Sequence, residues 1–392
     1  MEKRTVSMPH RQTGNQIDSK LLSTILILIV FGLVMIASAG ISYSRARFGD
    51  PYYFFKHQLI YGVLPGIVAL YVMQKINYKF WKKISLPFFI LSIICLILVF
   101  VPGFGSKIYG ASRWLQLGSF SFQPSEMLKL SIIIYLSAWL ESRSDKVKDF
   151  YEGLVPFLIV IGAVSFLLIK QPDVGTLGVT ILISISIFFV SGAKISHMFF
   201  MGISGIAALG IIIKMEAYRM NRLLVFLHPE LDPRGVGYQI NQALLAIGTG
   251  GVLGVGLGKS MQKFNYLPEP VGDSIFAIIG EELGLLGAVF LISLFIYLMI
   301  RILKIANNAP DNFGKFMAVG IVSWIVFQAF INIGAISGLI PLTGIPLPFI
   351  SYGGSSMLAM GLTMGFALAL TRRRPGAYEP GASLSRPGRR LL

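Results

Sequence analysis

Ten apolar stretches set the terms on which this chain can fold. They fall at residues 21–41, 59–73, 84–101, 127–140, 154–169, 174–191, 198–213, 274–300, 316–336 and 355–370. Runs of about 18 or more mostly apolar residues read as membrane-spanning helices, because in hydrocarbon only a helix or a closed barrel satisfies its own backbone polar groups. With 54% hydrophobic and 13% charged residues and a mean hydropathy of +0.72, the chain falls outside the soluble globular class. The expected fold is therefore an all-α polytopic membrane protein of about ten transmembrane helices. An even number puts both termini on one side. Placing them in the cytoplasm leaves 21 of the 34 basic residues on that side, which satisfies the positive-inside rule. The net charge of +16 is then a topology signal, and nucleic acid is not an expected partner. The one cysteine, Cys95, can form no internal disulfide. No cleavable signal peptide is expected, since the first apolar run is itself long enough to span.

This topology divides the chain into a cytoplasmic tail (1–20), a transmembrane domain (21–371) and a second cytoplasmic tail (372–392). Both tails are polar and are expected to be mobile, with membrane lipids held by the arginines after the last span. The opposite face carries loops rich in Gly, Pro, Arg and aromatics, the largest at about 214–272. That face is where chemistry is expected.

The segment NYLPEPVGDSIFAIIGEELGLLG, residues 265–287, carries acidic residues into an apolar run. Pro268 and Pro270 bracket a turn that helices do not tolerate internally, and a helix is expected to start at Asp273. An Asp in a first turn reads equally as an N-cap, accepting from open backbone N–H groups. Glu281 and Glu282 lie about 12 Å deeper at 1.5 Å per residue, on directions that differ by roughly 100°. At least one of them must face protein, a cavity or a partner charge.

Other helix mouths repeat the pattern. Pro124 opens a helix on which Glu126 and Lys129, three apart, share a face and can pair. Pro172 precedes Asp173 in the same way. The recurrence suggests that Glu126, Asp173 and Asp273 converge on one vestibule, although each reads singly as a cap or a structural ion pair. Arg45 lies among aromatics in the first outer loop, a pattern that an interfacial belt also explains. Residues 214–272 read as two amphipathic pieces on the outer surface, split by HPELDPRGVG. His228 is a lone turn residue, and no His or Cys partner makes a zinc site. GTGGVLGVGLGK lacks the strand and the GK[ST] context of a phosphate loop. Three prolines and a Gly pair in 338–356 forbid a helix, so a rigid loop folded against protein is expected there.

The joint occurrence of GASRW, QPSEMLK, QPDVGT, GYQ with AIGTGG, QKFNYLPEP with DSIFAIIGEELG, and PLTGIPLPFISYGGSS resembles the SEDS family (shape, elongation, division and sporulation) over residues 20–371. QKFNYLPEP and QAFINIGAISGLIPLTG are closer to its division type than to its elongation type. The resemblance implies a ten-span peptidoglycan glycosyltransferase that polymerises lipid II outside the cytoplasmic membrane at the division septum, working with a class B penicillin-binding transpeptidase and other divisome proteins. It places the family's essential carboxylate on Asp273 and its polar cavity residues on Glu126, Lys129 and Asp173, with Arg45 a looser match. The pattern departs at Val271, where family members often carry His or another polar residue.

Chemically, an acceptor sugar hydroxyl must lose a proton as it attacks the anomeric carbon of a lipid-pyrophosphate donor, and a positioned carboxylate can take it. Asp273 is the expected base. Lys129 with Arg45 or Arg113 is expected to screen the leaving pyrophosphate, and Glu281 is a further candidate substrate contact. A divalent cation, Mg or Mn, shared between Asp273 and the phosphates is an expected cofactor. Two other classes compete: a lipid II transporter, for which Glu281 and Glu282 would supply polar groups at depth, and a scaffold in which Asp273 is only a cap.

Overall fold

The computed structural model describes residues 18–108, 111–117 and 120–371; residues 1–17 of the first tail and the whole of the second lie outside the described residues. The helices are α1 (Ser19–Ala39), α2 (Ile41–Phe48), α3 (Tyr53–Gln58), α4 (Leu64–Met73), α5 (Tyr78–Lys83), α6 (Ser85–Leu98), α7 (Pro124–Ser142), α8 (Val155–Lys170), α9 (Val174–Val190), α10 (Ile195–Lys214), α11 (Ala217–Leu227), α12 (Val236–Gly250), α13 (Ile275–Asn307), α14 (Asn312–Ile336) and α15 (Gly354–Thr371). Among the described residues, seven continuous helical stretches are long and apolar enough to cross a membrane, and α6 and α9 are shorter apolar helices. The tenth expected span is α7, which carries Glu126, Lys129 and Glu141 among its apolar residues. The chain is a predominantly helical polytopic membrane protein.

Two of the spans begin one turn earlier than their apolar runs, and for the same reason. A π-turn, Leu59–Val63, joins α3 to α4 just before Pro65, and another, Phe150–Leu154, enters α8 just before Pro156. Proline offers no N–H, and its ring clashes with the carbonyl four residues back; widening the preceding turn relieves this without ending the helix.

Packing sorts the helices into enclosed and lipid-facing. In α14 and α15, 72% of the apolar stretch is buried inside the protein, against 11% in α10, whose Phe199, Ile203 and Ile206 face outward. Helix α4 approaches α15 so closely that a Cβ on Gly361 would lie 2.1 Å from the Gly66 carbonyl. At the N-terminal end of α1, Asp18 caps the helix through Leu21 N–H (3.0 Å) and pairs with Arg301 near the C-terminal end of α13, marking one end of the bundle.

The chain is not wholly helical. Between α6 and α7 lies a three-stranded antiparallel sheet, β1 (Gly105–Ile108), β2 (Ala111–Leu117) and β3 (Phe120–Phe122), with Gly105 opposite Leu115 and Leu115 opposite Phe122. Three strands can form here because the segment lies between spans, where its edges need no partner inside a membrane. Its consequence is positional: β2 carries Arg113.

Helix α13 is interrupted at Gly284 (φ 65°, ψ −163°), a conformation open essentially to glycine alone. The break lets residues 251–256 run alongside it, with Val255 N–H donating to Glu281 O (2.9 Å), Gly256 N–H to Glu282 O (3.0 Å) and Leu285 N–H to Gly251 O (2.9 Å). A Cβ on Gly284 would meet Gly254 N at 2.3 Å and Val252 O at 2.6 Å. Gly284→Ala is therefore expected to destabilise the protein by at least about 1–3 kcal/mol, read as a lowered thermal unfolding midpoint in detergent. An unchanged midpoint would contradict the interrupted helix.

Candidate active site

Asp273 sits in the turn that leads into α13, and it is not a cap. The helix begins at Ile275 with Ser274 in the N-cap position, and among the described residues the Asp273 carboxylate takes no N–H from the first turn. The turn is tight: Glu269 has φ +48°, and its carbonyl accepts from Gly272 N–H (3.0 Å) and Ser274 N–H (3.3 Å). This directs the Asp273 side chain away from the helix axis, towards Gln239 of α12, whose Nε2 lies 3.5 Å from Oδ1 and donates to Ser274 Oγ at 3.0 Å.

The loop between α14 and α15 closes the other side. As its composition requires, it is non-helical, and it is tethered throughout. Asn332 on α14 donates from Nδ2 to both Asp273 O (2.9 Å) and Ile345 O (2.8 Å). Ser351 Oγ donates to Gly272 O (2.8 Å), and Tyr352 N–H to Val271 O (2.8 Å). Gly344 has φ +70°, and a Cβ there would lie 3.7 Å from Asp273 Oδ2, so a glycine leaves the space beside the carboxylate open. Val271, where the family pattern departs, is buried and lends only its carbonyl.

The surroundings raise the proton affinity of Asp273. Burial is the main cause and the nearby Glu269 charge the second; together they push its pKa up to about 6, against the opposing effect of its own backbone N–H, then of Arg222 and Gln239. A carboxylate tuned this way is poised to exchange protons near neutrality.

Glu126, Lys129 and Asp173 form a second polar cluster. Lys129 Nζ lies 2.8 Å from Glu126 Oε1 and 2.8 Å from Gln328 Oε1, over the Trp324 ring, with both charged side chains 2% exposed. Asp173 caps α9 through Thr176 N–H (3.2 Å), and Ser125 Oγ approaches its other oxygen at 3.5 Å. This cluster connects to Asp273 through α14. Gln328 donates to Pro346 O (2.8 Å), and Asn332 sits four residues on, one turn along the same face. Residues 343–346 thus lie between the two groups of acids, and among the described residues the buried Glu126 Oε2 has no hydrogen-bond partner.

Arg113 reaches Gln171 O (3.2 Å) and Pro172 O, at the C-terminal end of α8. It lines a cavity of about 230 Å³ together with Arg219 and Arg222, two residues of α11 that the sequence offered as an Arg-x-x-Arg spacing with no assigned role. Arg45 is exposed on α2, and among the described residues no hydrogen bond or ion pair joins it to Asp273. Glu281 and Glu282 both face the loop at 258–263. Glu281 accepts from Met261 N–H (2.8 Å) and Ser260 Oγ, and Glu282 from Ser38 Oγ (2.6 Å) and Lys263 Nζ (2.9 Å). The helical rotation that separates neighbouring side chains is absorbed here by a loop wrapping both directions.

Among the described residues, no three His, Cys, Asp or Glu come together as a metal-ligand set. A divalent cation would have to draw most of its ligands from substrate phosphates.

Residues 19–375 match the family model for FtsW, RodA and SpoVE, described as cell cycle protein. A protein of Geobacter sp. (strain M18) named probable peptidoglycan glycosyltransferase FtsW is 39% identical over 360 residues, covering 92% of this chain and 98% of its own. Stage V sporulation protein E of Bacillus subtilis is 40% identical over 355 residues, 91% of this chain and 97% of that protein. Among solved structures, a chain from a peptidoglycan synthase complex described as coordinating polymerization and crosslinking superposes with a TM-score of 0.75 at 26% identity, covering 90% of this chain and 97% of its own. The rod shape determining protein RodA of Thermus thermophilus superposes at 0.66 over 90% of this chain and 96% of its own, at 24% identity, and shares the fold.

Proposed function

The chain belongs to the FtsW/RodA/SpoVE family of cell cycle proteins, and from that premise we propose that it is a peptidoglycan glycosyltransferase that polymerises lipid II at the outer face of the cytoplasmic membrane, with Asp273 as the base. The observation that carries this reading is the Asp273 carboxylate itself. Among the described residues it caps no helix, the backbone that carries it is held by side-chain donors from Asn332 on α14 and Ser351 in the loop after it, and its pKa is lifted to about 6.

In the reaction, the acceptor GlcNAc 4-hydroxyl forms a bond to the anomeric carbon of the donor as the bond from that carbon to the pyrophosphate oxygen breaks. The hydroxyl proton passes to Asp273, and the lipid pyrophosphate leaves as an anion. Guanidinium groups near the mouth stabilise that developing charge. Mg or Mn, if bound, would sit between Asp273 and the substrate phosphates and neutralise charge there. The partner reading is a class B penicillin-binding transpeptidase, supported by the neighbour from a synthase complex that couples polymerization with crosslinking. A septal role alongside other divisome proteins is supported by the FtsW-named relatives. Residues 1–20 and 372–392 are read as cytoplasmic tails flanking the catalytic domain. The transporter alternative loses its ground, since Glu281 and Glu282 are engaged by the 258–263 loop instead of lining a path.

The test is polymerisation of labelled lipid II by the purified chain, with and without its transpeptidase, resolved on a gel. Long glycan is the expected product. Transbilayer movement of lipid II in vesicles with no glycan under any combination would overturn the reading.

A further inference from the structure

Among the described residues no hydrogen bond or ion pair joins Glu126 or Lys129 directly to Asp273, yet side chains of α14 lead from one group to the other. Lys129 Nζ donates to Glu126 Oε1 (2.8 Å) and to Gln328 Oε1 (2.8 Å), with the Trp324 ring 4.7 Å away. Gln328 Oε1 also accepts from Trp324 Nε1 (2.7 Å), and its Nε2 donates to Pro346 O (2.8 Å). One turn along the helix, Asn332 Nδ2 spans Ile345 O (2.8 Å) and Asp273 O (2.9 Å). Both amides are enclosed, so protein groups alone decide how they point.

Those groups allow one orientation each. An ammonium and an indole N–H can only donate, so the Gln328 oxygen must face Lys129 and Trp324, and its NH₂ must face Pro346 O. For Asn332 both neighbours are carbonyls, which only accept, so its NH₂ must face them. The amide oxygen is then turned away, and among the described residues the buried Asn332 Oδ1 has no hydrogen-bond partner. A buried acceptor left unpaired is costly. That cost is borne where two backbone carbonyls, one of them Asp273's own, are tied to a single side chain.

We infer that Gln328 and Asn332 are positioning residues for Asp273 and that Lys129 acts through them: the ion pair orients Gln328, the two amides hold the carbonyls of residues 345 and 346, and Asn332 holds that of Asp273. The inference rests on the polymerase reading for the use to which that position is put. A second tether leaves the same loop, where Leu347 N–H donates to Ser351 Oγ (2.7 Å) and Ser351 Oγ to Gly272 O (2.8 Å). These bonds all grip backbone, so they fix where the carboxylate stands without drawing on its charge. Lys129, which the sequence offered as a screen for the leaving pyrophosphate, is 2% exposed with its ammonium committed to Glu126 and Gln328, and it offers no face to a phosphate.

Polymerisation of labelled lipid II is followed for the wild type, Lys129→Met, Gln328→Met, Asn332→Leu and the double variant Lys129→Met with Gln328→Met, each well below its unfolding temperature. Each single variant should lower kcat by about ten- to a hundredfold, with KM within about twofold of the wild type. The double variant should be no slower than the slower of its two parents, as expected of residues that act as one unit. Were Lys129 a phosphate contact, its loss would raise KM and multiply with the loss of Gln328. Position is also read without turnover, by alkylating Asp273→Cys with a membrane-impermeant maleimide in a Cys95→Ala background, Cys95 being the chain's one cysteine. Adding Gln328→Met or Asn332→Leu should speed that labelling severalfold as the turn loosens, and this decides the matter should Lys129→Met fail to fold. Multiplying losses in the double variant, a KM that rises while kcat holds, or labelling unchanged by both α14 substitutions would overturn the inference. A chain that makes no glycan, but whose labelling responds to both substitutions, would leave the positioning standing and remove the reaction.

Discussion

Asp273→Asn should abolish glycan synthesis and leave the protein at least as stable as the wild type. The amide has the shape of the carboxylate but cannot take a proton, and a positioned general base contributes on the order of 10²–10⁴ in rate. The stability expectation follows from the same surroundings. A carboxyl whose pKa rises from 3.8 to about 6 on folding is disfavoured as the anion in the folded state, so its charge is a cost above about pH 6 that protonation relieves below it. Asn removes that cost. A cap would behave in the opposite way, losing about 1 kcal/mol on replacement. The pH profile gives a second reading of the same group: wild-type turnover should fall as pH drops through about 6, where the base becomes protonated, and be level above it. Retention of more than about a tenth of wild-type polymerisation by the Asn variant, with unfolding measured in parallel, would sink the assignment.

The same carboxylate shows what a sequence can and cannot reveal. Its residue type and its place at the mouth of an apolar run were legible, because Pro268 and Pro270 force a turn and the run that follows forces a span. Whether it caps the helix was not, because that depends on where the helix starts, and the difference between Asp273 and Ile275 is set by the Glu269 turn and by Asn332 from a distant helix. For Asp173 the cap reading holds, with Thr176 N–H at 3.2 Å. The ten apolar runs were readable since hydrocarbon leaves the backbone one local solution. The small sheet was not, because short strands between spans carry no long periodic signal. Arg219 and Arg222 were visible as a spacing three apart on an amphipathic piece, but their direction depends on α11 packing back over the end of α8, which no local pattern encodes. Gln328 and Asn332, four apart within an apolar run, did carry a readable signal: polar side chains on one face of a membrane helix need partners.

Lys263→Met should be the most damaging single change outside the reacting groups. Lys263 and Glu282 pair at 2.9 Å with side chains 2% and 0% exposed, and Glu282 also accepts from Ser38 on α1. Removing one member of such a pair strands a charge, at a cost of about 3–5 kcal/mol, whereas removing both charges is often close to neutral. The double variant Lys263→Met with Glu282→Gln should therefore recover most of the loss, since Gln still accepts from Ser38. A near-neutral single variant, or a double variant no better than the single, would show that the pair is not isolated from water as the geometry requires. The expected effect on activity follows from what the pair fastens. Lys263 lies between residues 251–256, which run alongside the Gly284 break, and the Asp273 turn, and its Nζ also holds Gly258 O at 2.6 Å. Loosening that segment lets the base drift, and a displacement of about 1 Å at a reacting group can cost on the order of a hundredfold in rate. Measured well below its own unfolding temperature, Lys263→Met should lose turnover out of proportion to the folded fraction, while the double variant regains both together.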